Sequence, residues 1–228
     1  MALEESVALV IGADDAVGAA IARGLLARKV AKLYVMSADP GGQPWLPGAV
    51  EIVGTLTRRG DAQQLARQLT DVTLLICCTV ATGPSNAGPT ASVPLPSVPA
   101  FEADFALPLI EAFASVLAAQ GGGTVVNVVS MPCADRPLWV DHPPDGLEAT
   151  AYGRRADSLR ARLAAQGTQL LTWQAQLGLG SREQQLMDHS ALARHLAAKV
   201  LARLDADAQP TEPPTPTANW RNRIERRN

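Results

Sequence analysis

A doubly wound α/β fold with a parallel sheet of about six strands is what this sequence predicts. Three observations point to it. Short continuous apolar runs alternate with stretches of helical period, and glycine and proline clusters separate them. The first such unit, residues 7–30, reads as a buried strand, a glycine turn and an amphipathic helix. With 228 residues, 47% hydrophobic and 18% charged, the chain can bury a substantial core, and one domain is expected over 1–204.

Val7–Ile11 is apolar throughout, as suits a central parallel strand covered on both faces. Gly12 ends it. Val17, Ala20, Ile21, Gly24 and Leu25 then form one apolar helix face, and Asp14 or Asp15 can cap its start. Lys32–Ser37 is a second strand, followed by a loop rich in proline and glycine. Val50–Val53 makes a third strand, 61–69 a short helix and 72–78 a fourth, strongly buried strand. A Pro, Gly, Ser and Thr-rich loop over 79–99 leads to a long helix over 100–120, with a kink expected at Pro108 and a stop at Gly121, Gly122 and Gly123. The fifth strand is expected over 124–129, a proline-rich loop after it, a helix over 148–166 and a sixth strand over 169–173. A last amphipathic helix over 190–204 precedes a tail over 205–228, rich in proline and then basic.

The net charge of −2 and a pI near 5.9 give no electrostatic case for nucleic acid or an anionic membrane. No signal peptide is visible and no apolar run reaches membrane-spanning length, so a cytoplasmic protein is expected. Cys77 and Cys78 adjoin within an apolar run, Cys133 stands apart, and His142, His189 and His195 are scattered without metal-ligand spacing. No metal site is expected.

Gly12 and Gly18 stand at the outer positions of a G-x-x-x-G-x-G pattern whose middle glycine is Ala16. At such a turn, free backbone amides and the helix dipole favour a pyrophosphate. Here Asp14 and Asp15 oppose it. Two like charges about 4 Å apart repel by roughly 4 kcal/mol at an effective dielectric near 20. The turn therefore reads first as a capped helix start, with a phosphate cradle as the alternative.

The order and spacing of these elements resemble the short-chain dehydrogenase/reductase family from residue 7 to about 204, which implies a Rossmann-like sheet. Gly12 and Gly18 fall on that family's glycine turn, Phe101 to Asp104 on its F-x-x-N segment, Val125 to Ser130 on its V-N-x-S-S strand end, and Tyr152 on its Y-x-x-x-K. In the family a tyrosine phenolate exchanges the substrate's hydroxyl proton while hydride passes to or from a nicotinamide. A serine steadies the carbonyl oxygen, and a lysine lowers the tyrosine pKa and holds the ribose. The lysine is needed because a tyrosine of pKa about 10 is ionised in roughly one molecule per thousand at neutral pH.

Every one of these motifs departs from the family pattern. The lysine position is Ala156, and Arg155, three residues after Tyr152, is the nearest replacement cation. Halohydrin dehalogenases pair an arginine with serine and tyrosine, but at the spacing held here by Ala156. The relay asparagine is Asp104, the N-N-A-G segment becomes Cys77, Cys78, Thr79 and Val80, and Ser37 stands where an acid would hold the adenosine ribose, with Asp39 beyond it. The adenine-side aspartate is Thr55, the substrate lid is cut to about 181–189, and the seventh strand is missing.

The joint loss of cofactor, ribose, lysine and lid positions implies a pseudoenzyme. Asp104, Ser130 and Tyr152 are then catalytic remnants, Gly12 and Gly18 cofactor-site remnants, and no cofactor is expected in this chain. The implied partner is an active short-chain dehydrogenase carrying NAD(P), met through the helices near 100–120 and 148–166, which build a four-helix interface in the family. Its substrate class would be a hydroxyacyl-CoA. In the tail, Trp220 and Ile224 among Arg221, Arg223, Arg226 and Arg227 have the composition of an anchor strapped onto that partner. Two alternatives remain: a divergent NAD(P)-dependent oxidoreductase using Ser130 and Tyr152, and a regulatory or ligand-sensing protein using the old cofactor cleft.

Overall fold

Five consecutive apolar residues give Val7–Ile11 (β1) no polar face to turn to water, and it lies inside the sheet with a parallel strand on either side. The computed structural model describes residues 2–37, 46–54, 56, 59–80, 103–133, 139–140, 151–178 and 182–208. After β1 come Ala16–Ala27 (α1), Lys32–Ser37 (β2), Val50–Val53 (β3), Arg59–Gln68 (α2) and Leu74–Val80 (β4). Ala103–Ala119 (α3), Gly123–Cys133 (β5), Trp139–Val140 (β6), Ala151–Ala164 (α4), Thr168–Gly178 (β7) and Arg182–Ala208 (α5) complete the order.

The sheet runs β3-β2-β1-β4-β5-β7-β6, parallel except for β6. Six strands thus form the expected parallel, doubly wound sheet, and the two-residue β6 adds antiparallel to the edge of β7. Alternate side chains of each strand enter opposite cores. Ala8, Val10, Ile76 and Val126 pack with Ile21, Leu25, Leu196 and Val200 of α1 and α5. Leu9, Ile11, Leu75 and Val125 pack with Leu65, Phe113 and Leu163 of α2, α3 and α4. Adjacent Cys77 and Cys78 divide between these two cores, as their alternation requires.

α5 closes tightly on α1. A Cβ on Gly24 would lie 2.1 Å from Leu201 Cδ1, and Arg28 clamps Asp205 through two guanidinium nitrogens at 2.8–3.1 Å. Residues 205–208, expected in the tail, are therefore helical and tied to the body.

Several boundaries differ from those expected, each for a tertiary reason. β4 starts at Leu74 and continues through Thr79 and Val80 into the expected loop, because β5 supplies ladder partners as far as Ser130. β5 and β7 run on together from Gly123↔Thr168 to Cys133↔Gly178, past Pro132, because each provides the other's partners beyond the sheet's other strands. Residues 182–189 are not a shortened lid loop but the start of α5. Their Glu, Gln, Leu and Met residues favour helix without an apolar stripe to announce it. α3 continues through Pro108. Among the described residues, no helix is long and apolar enough to cross a membrane.

Candidate functional site

The C-terminal ends of β1, β2 and β4 meet at the turn between β1 and α1, where doubly wound folds bind ligands. Gly12 has φ +78°, and a Cβ there would lie 2.2 Å from the Cys78 carbonyl oxygen. A Cβ on Gly18 would lie 2.1 Å from the Gly12 carbonyl oxygen. Both glycines thus seat α1 and β4 against the turn, a packing need that holds with or without a ligand. The middle position, Ala16, is exposed.

The sequence left open which aspartate caps α1. It is Asp15, whose Oδ2 accepts the Val17 amide at 3.0 Å while its carbonyl accepts the Ala19 amide at 2.9 Å. Asp14 points elsewhere. It is 9% exposed and accepts a hydrogen bond from the Ser37 hydroxyl, itself 5% exposed, at the end of β2. The Ala13 amide donates to the Met36 carbonyl at 3.3 Å beside it, so main chain and side chain both bridge the crevice between β1 and β2. Sequence reasoning gave Ser37 only the value of a lost ribose acid. The signal it passed over was an acid two residues past the turn glycine, opposite a hydroxyl at the neighbouring strand's end.

Below the turn, Cys77 and Cys78 are packing residues. Burial pushes the Cys77 thiol up to about 12, and burial with the negative charge of Asp15 pushes Cys78 well above its ordinary range. Neither is poised as a nucleophile. The Thr79 hydroxyl donates to the Val128 carbonyl at 3.4 Å. Among the described residues, no group of three or more His, Cys, Asp or Glu could hold a metal ion.

In the core under α2, α3 and α4, Ala156 is 5% exposed with Leu159, Leu163 and Phe113, whereas Arg154 and Arg155 are exposed. Position 156, where the sequence resemblance implies a lysine, therefore faces packed hydrocarbon. Ser130 lies on β5 in register with Val80 and Ala175, Tyr152 in the first turn of α4 and Asp104 in the first turn of α3. The side chains of these three, with Asp39, Thr55, Cys133, His142, the loop over 81–102 and the tail over 209–228, lie outside the described residues.

No protein-family profile and no curated protein matches the sequence. Solved structures do resemble the fold. A short-chain dehydrogenase from Burkholderia cenocepacia in complex with NADP is 24% identical, with a TM-score of 0.53 over 75% of this chain and 72% of that one. A short-chain dehydrogenase/reductase from Burkholderia xenovorans is 18% identical, with a TM-score of 0.58 over 87% and 89%. The bulky-bulky ketone specific alcohol dehydrogenase from Comamonas testosteroni is 17% identical, with a TM-score of 0.54 over 97% and 91%. The chain has the Rossmann-like fold of these oxidoreductases.

Proposed function

We propose that this chain is a catalytically inactive, short-chain dehydrogenase-like subunit of a hetero-oligomeric oxidoreductase whose active subunit carries NAD(P). The observation that carries this reading is the burial of Ala156 among Leu159, Leu163 and Phe113. A reductase of this fold needs a cation one turn after its tyrosine to make phenolate available near neutral pH. Here that position belongs to the core. Arg155, the replacement that a divergent oxidoreductase would use, is exposed. The cofactor side supports the same reading, since Asp14 and Asp15 put two carboxylates where a pyrophosphate would bring more negative charge.

The partner surface is formed by α3 and α4. Arg162 of α4 pairs with Glu111 of α3 at 2.9 Å, fastening the two helices, and Ser115, Ala119, Ala161 and Ala164 are exposed small residues that permit close helix approach. Trp220 and the arginines of the tail add a second contact on the partner. The assembly is similar in kind to hydroxyphenylmethylsuccinyl-CoA dehydrogenase of anaerobic toluene degradation, where an active subunit joins one that has lost cofactor and catalytic residues. A hydroxyacyl-CoA is the corresponding substrate class.

Co-expression with an active short-chain dehydrogenase from the same genome tests the reading, with light scattering for stoichiometry and nicotinamide fluorescence for turnover. A mixed complex is expected whose activity disappears when the partner's tyrosine is replaced and survives Tyr152→Phe here. Removal of residues 217–228 should weaken assembly. Loss of turnover on Tyr152→Phe, or binding of NAD(P)H by the isolated chain well below about a millimolar, would return it to the active oxidoreductases.

A further inference from the structure

The start of α1 carries a carboxylate bonded to one of its own first amides, Asp15 on Val17, and a second carboxylate, Asp14, is buried one residue before it on the Ser37 hydroxyl. We propose that Asp15 and Asp14 are a built-in substitute for a bound nucleotide, holding the crevice closed to phosphate-bearing ligands. This rests on the inactive-subunit reading and gives its cofactor side a cause.

A helix start attracts anions because its first amides lack intrahelical acceptors and the helix dipole is positive there. Asp15 answers both needs from within the chain. Its Oδ2 takes the Val17 amide and its charge sits on the dipole, so an incoming phosphate would have to displace that bond and approach a like charge. Asp14 acts on the neighbouring side. Its bond from Ser37, with the main-chain bond from Ala13 to Met36, spans the gap between β1 and β2 through which an adenosine would reach the end of β2. Gly12 and Gly18 keep the turn tight without regard to either ligand, since their missing Cβ atoms are required by Cys78 and by Gly12 itself. The turn is therefore complete without a cofactor, as a subunit present for assembly requires.

Calorimetric titration with ADP-ribose tests this on the full chain and on two paired variants. Asp14→Ser with Asp15→Ser keeps a hydroxyl at each position, a capping one at 15, and removes both charges; Asp14→Asn with Asp15→Asn keeps shape and removes charge alone. The wild type should show no binding up to about a millimolar, and at least one variant should bind about 30-fold more tightly than that limit or better. The melting temperature should rise with ADP-ribose in that variant and stay constant in the wild type. If both variants fold, by their circular dichroism, and neither binds, the substitution idea is overturned while the inactive-subunit reading stands. If the wild type binds at micromolar concentration, both fall.

Discussion

Two glycine turns sit at opposite edges of this sheet, and they make the same physical demand. At the C-terminal edge, Cβ atoms on Gly12 and Gly18 would come within 2.2 and 2.1 Å of the Cys78 and Gly12 carbonyl oxygens. At the N-terminal edge, Cβ atoms on Gly122 and Gly123 would come within 2.3 and 2.4 Å of the Gly167 and Thr73 carbonyl oxygens. Gly12 at φ +78° and Gly122 at φ +110° both use backbone that other residues rarely adopt. Only the first pair looks like a nucleotide signature, yet both are explained by main chain passing close to main chain. The turns differ in their neighbours: Asp14 and Asp15 follow Gly12, whereas Gln120 and Thr124 flank the glycines at the far edge. Glycine spacing therefore reports how strand and helix pack, and the polar residues between the glycines report what can bind.

The comparison breaks most readily with Gly12→Ala and Gly122→Ala. Each should cost about 3 kcal/mol or more, by backbone strain and by a contact no rotamer can relieve. Urea denaturation measures both. A Gly12→Ala protein of nearly wild-type stability would show that this glycine serves a ligand after all.

Ala156→Lys tests the buried face of α4 with a smaller effect. Placing a lysine in that packed position should destabilise by roughly 2 kcal/mol or somewhat more and give no reductase activity on a panel of carbonyls and alcohols. Clear turnover would mean that the cofactor turn works and that only the proton-transfer site had been lost.

Asp15→Ala should cost about 1 kcal/mol as a lost cap, while Asp15→Ser should cost little because a hydroxyl caps as well. Equal losses from the two would remove the cap from the argument about this turn.

The smallest expected effect concerns the thiols under Gly12. In the native protein at pH 8, Cys77 and Cys78 should resist alkylation, read by mass spectrometry of their peptide, and react once the chain is unfolded. With the folded Cys77 pKa raised to about 12 and an unfolded thiol ionising near 9, the unfolded state holds fewer protons between those values. Stability should therefore fall as pH rises from about 9 to about 12, with no contribution from this thiol at lower pH. Rapid modification at pH 8 would mean that the floor of the turn opens.

By itself the sequence determined the order of the six parallel strands, because each uninterrupted apolar run, such as Val7–Ile11 or 74–78, must find cover on both faces. It also put alanine at position 156, where the resemblance implies a lysine, and carboxylates after Gly12, since these are matters of residue identity. Among the described strands it missed only the short edge strand Trp139–Val140. It did not reach the ends of β5, β7 and α5, where a neighbouring strand or the Arg28–Asp205 clamp carries an element past its local pattern. Nor could it choose between Asp14 and Asp15 as the cap, for both are chemically able and adjacent. Only the tertiary structure decided that. With Ser37 brought across from β2 to hold Asp14, Asp15 takes the helix start. The same holds for Ala156 and Arg155: their order in the chain is local, but a helix turns about 100° per residue, and the packing of α4 on the sheet sent one into the core and the other to water.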